Sequence, residues 1–354
     1  MESKDAIIIC DFEESYCVRL DEYIRQRLKL SFKIYDFTSK EIFDKESKKL
    51  NDKAFLLIIS GKAYKECDTK DYTNILILNE DENNIFDIQD EDIKVCITKK
   101  YQSIDAILEK IYELCMDADT LKISNENIKK AKIHTVYSPV CRCGKTNFAK
   151  SLSGNLSKSA RTLYINLESF SGYSMNNRIR DIKESADEIN IDFGAHEDNL
   201  QDLIYYFLND KSKMKLYLEK ISVNKYGFDE ILPAKSFLAL KGIEDKHITG
   251  MIDSIVSCGV YENIVIDLSE TICGFLDILD MSDIIFIPYI NDNISIQKVN
   301  EYEKVMRLSG YTKTADKGFK FEIPRSFENV TFSDVQYTLF ANYIYNGARE
   351  SIRG

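Results

Sequence analysis

The first third of the chain carries five short apolar runs, at 6–10, 32–37, 55–59, 75–78 and 95–98. Each is bounded by polar residues and is too short for a helix, so each predicts a strand buried on both faces. Elsewhere the spacing becomes helical. Val18, Leu20, Tyr23, Ile24 and Leu28 recur on one face, and Ile104, Ile107, Leu108, Ile111, Tyr112 and Cys115 predict a closing amphipathic helix. Strand alternating with helix in this order predicts a five-stranded parallel sheet over 1–116, with helices on both faces. Helical spacing is weak between the third, fourth and fifth runs, so that side is expected to be stripped down.

The stretch 117–131 is polar and charged and reads as a linker. Beyond it the pattern starts again. Strands are predicted at 133–137, 162–167, 228–232, 263–268, 284–288 and 319–323. Helices are predicted at 145–156, 198–208, 213–221, 245–257, 294–308 and 333–346. This is a second doubly wound parallel α/β sheet over 132–354, and ligands of such sheets lie at the carboxyl ends of the strands. In the last helix Val335, Leu339, Phe340, Tyr343 and Ile344 are expected on one face, packing in a core or a dimer rather than on a membrane.

Composition narrows the reading. The 354 residues suit two domains, and 44% hydrophobic with 30% charged residues is a soluble globular balance. A net charge of −11 argues against a general affinity for nucleic acid or anionic lipid. The nine cysteines are scattered, several inside apolar runs, and read mostly as buried free thiols of a reducing cytoplasm. Cys141-x-Cys143 has no second pair near it, and the histidines at 134, 196 and 247 are dispersed, so a metal reading of the pair is weak. The polar N-terminus shows no signal-peptide core, and the apolar runs are too short to span a bilayer, so a cytoplasmic location is expected.

The candidate chemistry lies at 138–146, Ser-Pro-Val-Cys-Arg-Cys-Gly-Lys-Thr, between a predicted strand and a predicted helix. Phosphate-binding loops occupy that context. Gly144 permits close backbone approach, Lys145 offers a charge to the β- and γ-phosphates, and the Thr146 hydroxyl can ligate Mg²⁺. The helix start adds free N–H groups and its positive dipole end. The loop departs from the standard pattern, which has Gly where Pro139 stands. A bare Gly-Lys-Thr is common by chance, and an ordinary strand–turn–helix is the alternative.

Two acidic segments fall at the same sheet edge. The strand at 263–268 ends in Asp267, which can hold Mg²⁺ opposite Thr146 or can cap the following helix. The strand at 162–167 leads to Asn166 and Glu168. Glu168 either orients and deprotonates a water or is an exposed loop glutamate.

A phosphate loop, a strand ending in amide and acidic residues, and Asp267 after an apolar strand together resemble the MinD/ParA ATPase family. Its deviant loop, Lys-Gly-Gly-Val-Gly-Lys-Thr, aligns with Val140, Cys141, Arg142, Cys143, Gly144, Lys145 and Thr146. The N-terminal half resembles a response-regulator receiver of flavodoxin-like fold. A receiver followed by a MinD-like ATPase is similar to the TadZ/CpaE proteins of pilus assembly. The resemblance implies ATP and Mg²⁺ as cofactors, held by residues 140–147 (Asn147 included), with Thr146 and Asp267 on the metal. Lys145, Glu168 and Asp267 would carry any chemistry, and Pro324 and Arg325 would border the base. It also implies a homodimer that recruits pilus or secretion machinery to the pole or the inner membrane face, reaching membrane only through partners.

Departures from the family set further expectations. The phospho-accepting aspartate of receivers is replaced at the third strand by Ser60, so Asp11, Glu13 or Glu14, and Lys99 or Lys100 are read as remnants in a contact domain. The cross-dimer lysine is replaced by Val140, so hydrolysis is expected to be slow or absent. Cys141 and Arg142 replace glycines, and a left-handed backbone there would cost about 1 kcal/mol or more. Arg142 either restores the lost positive charge or is a solvated loop residue. The alternative to an ATP-dependent localisation factor is a nucleotide-blind scaffold.

Overall fold

The computed structural model describes residues 6–28, 32–50, 53–81, 86, 93–116, 130–172, 199–224, 226–234, 236–327 and 330–353. The chain forms two compact units, Met1–Ser124 and Asn125–Gly354. Residues 117–129, most of the expected linker, lie outside the described residues.

The first unit contains β1 (Ala6–Cys10), β2 (Lys33–Phe37), β3 (Ala54–Ser60), β4 (Asn74–Asn79) and β5 (Lys94–Lys99). All pairs are parallel, in the order 2-1-3-4-5. That is the flavodoxin-like doubly wound order. β1 and β3 are buried at every position, the pattern of strands covered on both faces. The edge strands β2 and β5 keep polar, exposed positions. The helix Glu14–Arg27 follows β1, and Ile104–Met116 closes the unit. Only the six-residue helix Gly61–Glu66 separates β3 from β4. Ser60 starts it, its Oγ accepting from Ala63 N at 3.3 Å.

At the carboxyl edge of this sheet Lys100 is 2% exposed. Its ammonium pairs with Asp11 at 2.8 Å, Glu13 at 3.1 Å and Glu80 at 3.8 Å. It also lies 4.6 Å from the Tyr16 ring centroid and 5.5 Å from that of Tyr101. Burial alone would depress the Lys100 pKa, but hydrogen bonds to Asp11 and Glu13 outweigh it and the pKa is raised. Of the alternatives open in the sequence, Glu13 and Lys100 complete the cluster with Asp11.

The second unit contains β6 (Lys132–Val136), β7 (Thr162–Leu167), β8 (Ser222–Asn224), β9 (Asp229–Ile231), β10 (Asn263–Leu268), β11 (Ile284–Tyr289) and β12 (Gly318–Glu322). Their order is 12-11-6-10-7-9-8. Neighbours are parallel except β8 and β9, which are antiparallel. The expected doubly wound parallel sheet is present and is made mixed by the one antiparallel strand β8 at its edge. β6 has β10 on one side and β11 on the other, so chain connections leave it in opposite directions. A crevice opens at such a switch point.

The helix Lys145–Leu156 follows β6 and packs on the sheet, its Phe148 ring 4.5 Å from Phe321 and 5.4 Å from Phe286. The C-terminal helix Val335–Arg353 packs on that helix, and Asn155 Nδ2 donates to Thr338 O at 2.8 Å. Its core face is Tyr337, Ala341, Ile344 and Ala348. This corrects the single face expected from the sequence: Val335, Leu339 and Tyr343 are 72%, 64% and 76% exposed. The helix is apolar on more than one side, and the side with two alanines takes the close packing. Among the described residues no helix is long and apolar enough to cross a membrane.

Candidate functional site

The loop from Tyr137 to Gly144 joins β6 to the helix Lys145–Leu156. It is pinned from within. Ser138 Oγ donates to Pro288 O at 2.6 Å and accepts from Val140 N at 3.1 Å. Val140 and Cys143 are buried, whereas Cys141 is exposed. Burial raises the Cys143 thiol pKa. Arg142 has φ 58°, so one of the two replaced glycines does sit in the left-handed region. Gly144 has φ 80° and caps the helix. A Cβ there would meet Ile323 Cδ1 at 3.1 Å and Tyr337 Oη at 3.4 Å, so conformation and space both call for glycine.

Lys145 is the first residue of the helix and turns back to the sheet edge. Its Nζ donates to Leu268 O at 2.7 Å, forms an ion pair with Glu168 and stands 4.0 Å from Asp267 Oδ1. The Tyr137 ring centroid is 5.9 Å away. Asp267 is fully buried at the end of β10, directly opposite Asn166 on β7. Its Oδ2 accepts from Tyr164 Oη at 3.2 Å, and the Thr146 hydroxyl works to lower its pKa. Its Oδ1 is buried without a hydrogen-bond partner. The carboxyl pKa is raised to about 6, chiefly by burial; Lys145 opposes the rise and Glu168 adds to it. Asp267 does not cap the next helix, which begins at Phe275 behind Gly274.

Glu168 directly follows β7. Its backbone N donates to Asn166 Oδ1 at 2.9 Å, and its carboxylate is engaged by Lys145. The side chains of Lys145, Thr146, Glu168 and Asp267 are thus brought together at the carboxyl ends of three adjacent strands. The other candidates are placed differently. Asn147 Nδ2 donates to Val330 O at 3.1 Å, tying the helix to the segment before the C-terminal helix. Ile323, the residue before Pro324, lies against Gly144. Arg325 opens a short turn and contributes to the lowered pKa of Asp292, a shift set mainly by hydrogen bonds from Ser295.

Three contributors were not singled out in the sequence: the Tyr164 hydroxyl, the Leu268 carbonyl and the Tyr137 ring. For Tyr164 a signal exists. It lies two residues before Asn166 on one strand, hence on the same face, and a hydroxyl inside an apolar strand needs a partner.

A divalent cation fits this donor set by one specific observation. The unpaired buried oxygen of Asp267 and the Thr146 hydroxyl converge, and hard oxygen donors of this kind suit Mg²⁺.

No family model matches the chain, and no curated protein matches it. Solved structures do. A plasmid partition protein from Borrelia burgdorferi is 16% identical, with 63% of this chain and 99% of that one covered at a TM-score of 0.42. A ParA family ATPase from Chlorobium tepidum is 13% identical, covering 62% and 99% at a TM-score of 0.40. The MinC:MinD cell division protein complex from Aquifex aeolicus is 13% identical, with 60% of this chain and 77% of that one covered at a TM-score of 0.39.

Proposed function

We propose that the second unit binds a nucleoside triphosphate with Mg²⁺, ATP in the first instance, and uses it as a switch with slow or no hydrolysis. The observation that carries the reading is the convergence of Lys145, Thr146 and the buried, half-unpaired Asp267 beside a left-handed Gly144. Lys145 would hold the β- and γ-phosphates, and Thr146 and Asp267 would hold the metal, whose role is to neutralise phosphate charge. Helix N–H groups would face the phosphates. Pro324 would border the base. Val140 carries no charge, which supports weak turnover.

In the same reading the protein is a dimeric localisation factor of TadZ/CpaE type, recruiting pilus or secretion components while the first unit serves as a contact domain. Titration calorimetry with ATP and Mg²⁺ is expected to show binding, and Lys145→Ala to abolish it. Saturation at about a hundredfold excess over Kd should stabilise the protein by about 2.7 kcal/mol. Tight binding that survives Lys145→Ala would sink the reading. The engagement of Lys145 by Glu168 favours a second reading, a scaffold that takes no nucleotide. For that protein ATP would produce neither heat nor a shift in Tm.

A further inference from the structure

The ammonium of Lys145 is held by the chain's own groups. An ammonium has three N–H donors. The Leu268 carbonyl takes one at 2.7 Å, and the Glu168 carboxylate forms the ion pair. A second carboxylate, Asp267, stands 4.0 Å away. The pairing is not a loose surface contact. Glu168 follows the last residue of a fully buried strand, and its backbone N is fixed to Asn166 Oδ1. The side chains of Lys145 and Glu168 are only 14% and 22% exposed, so solvent screens the pair weakly.

A phosphate brought to this lysine meets two carboxylates and one ammonium. Like charges at such range repel strongly in a partly buried site. Glu168 is the carboxylate that can leave, because it heads a loop, whereas Asp267 is fixed inside β10. We propose that Glu168 is an internal stand-in for phosphate: it occupies Lys145 in the nucleotide-free protein and must be displaced for a triphosphate to bind. The proposal rests on the reading of the loop as a triphosphate site and adds its regulation.

Two consequences follow. Glu168 sets the metal requirement, since with its charge in place only the metal-complexed nucleotide can compete for Lys145. Its displacement is also transmitted. Ser169 Oγ hydrogen-bonds to Thr271 Oγ1, so the loops after β7 and β10 are coupled one residue from the ion pair. Phe170, next along, is 81% exposed, so movement of this loop changes an apolar feature of the surface. Glu168 is in this sense a positioning residue, acting on the ligand through Lys145.

The test is titration calorimetry of the full chain with ATP, once with excess Mg²⁺ and once in EDTA, for wild type, Glu168→Gln and Glu168→Asp. Glu168→Gln is expected to tighten Mg-ATP about tenfold and to bring metal-free ATP into measurable range. Glu168→Asp, which keeps the charge, should stay near wild type. A purely structural role for Glu168 would not separate the two metal conditions. Uptake of Mg-ATP by Glu168→Gln but not by wild type would also support the stand-in, showing that it wins in the resting protein. Equal affinities for wild type and Glu168→Gln, with Mg-ATP bound by both, would overturn the stand-in and leave the triphosphate site intact. Absence of binding in every variant, with all of them folded by circular dichroism, would overturn the site and the stand-in together.

Discussion

Arg142 holds a backbone conformation that side chains avoid, with φ 58° at an exposed position of its loop. Its Cβ crowds the following carbonyl, at a cost of about 1–2 kcal/mol. Comparing Arg142→Gly with Arg142→Ala isolates that cost, since both remove the guanidinium and only glycine relieves the backbone. Glycine also loses about 0.4–1 kcal/mol through the freedom of its unfolded chain. Arg142→Gly is therefore expected to be more stable than Arg142→Ala by up to about 1 kcal/mol in urea unfolding. An alanine variant as stable as or more stable than the glycine variant would mean that the loop relaxes to another path. The loss of glycine at 142 was legible as strain, because the requirement is set by local sterics. At 141 the same reasoning met a residue outside the left-handed region. The ion pair of Lys145 with Glu168 was not legible, because it depends on how far two loops reach across adjacent strands, a distance that residue spacing does not encode.

At the level of elements, long apolar strands were the clearest signal. β1, β3, β7 and β10 are buried along their whole length, so their sequences carry few interruptions. The three-residue strand β8 was invisible for the opposite reason: Ser222–Asn224 offers a single apolar side chain, and its antiparallel pairing depends on the turn that follows. The cluster that joins the ends of β1, β4 and β5 in the first unit was half legible. Its residue types were picked out, but which neighbour pointed inward was not. Lys100 now gives this cluster a measurable weight. Lys100→Met leaves Asp11 buried beside Glu80 with no cation, and breaking a buried pair in this way costs about 3–5 kcal/mol. Adding Asp11→Leu removes the stranded charge and should recover a large part of the loss. Urea unfolding of both variants checks this; a single variant within about 1 kcal/mol of wild type would show that the cluster is solvated and unimportant to stability.

The whole molecule has its own constraint, an excess of acidic over basic residues that leaves a net charge of −11. Duplex DNA binds proteins non-specifically by exchanging its condensed counterions for lysine and arginine, so affinity depends on how many cations can reach phosphates at once. In this chain several cations are already committed internally. Lys100 is enclosed by Asp11, Glu13 and Glu80, Lys150 pairs with Glu230 at 3.0 Å, and Arg161 is shared by Glu219 and Asp229. Lys145 is held by Glu168. The pairing that neutralises Lys145 within the chain thus removes positive charge that a nucleic-acid surface would need. The outcome expected is no mobility shift of a non-specific duplex at about 100 mM salt, with or without Mg-ATP. A shift that weakens steeply as salt rises, with the slope of several released counterions, would reveal a basic surface that the overall charge conceals and would move the function toward nucleic acid.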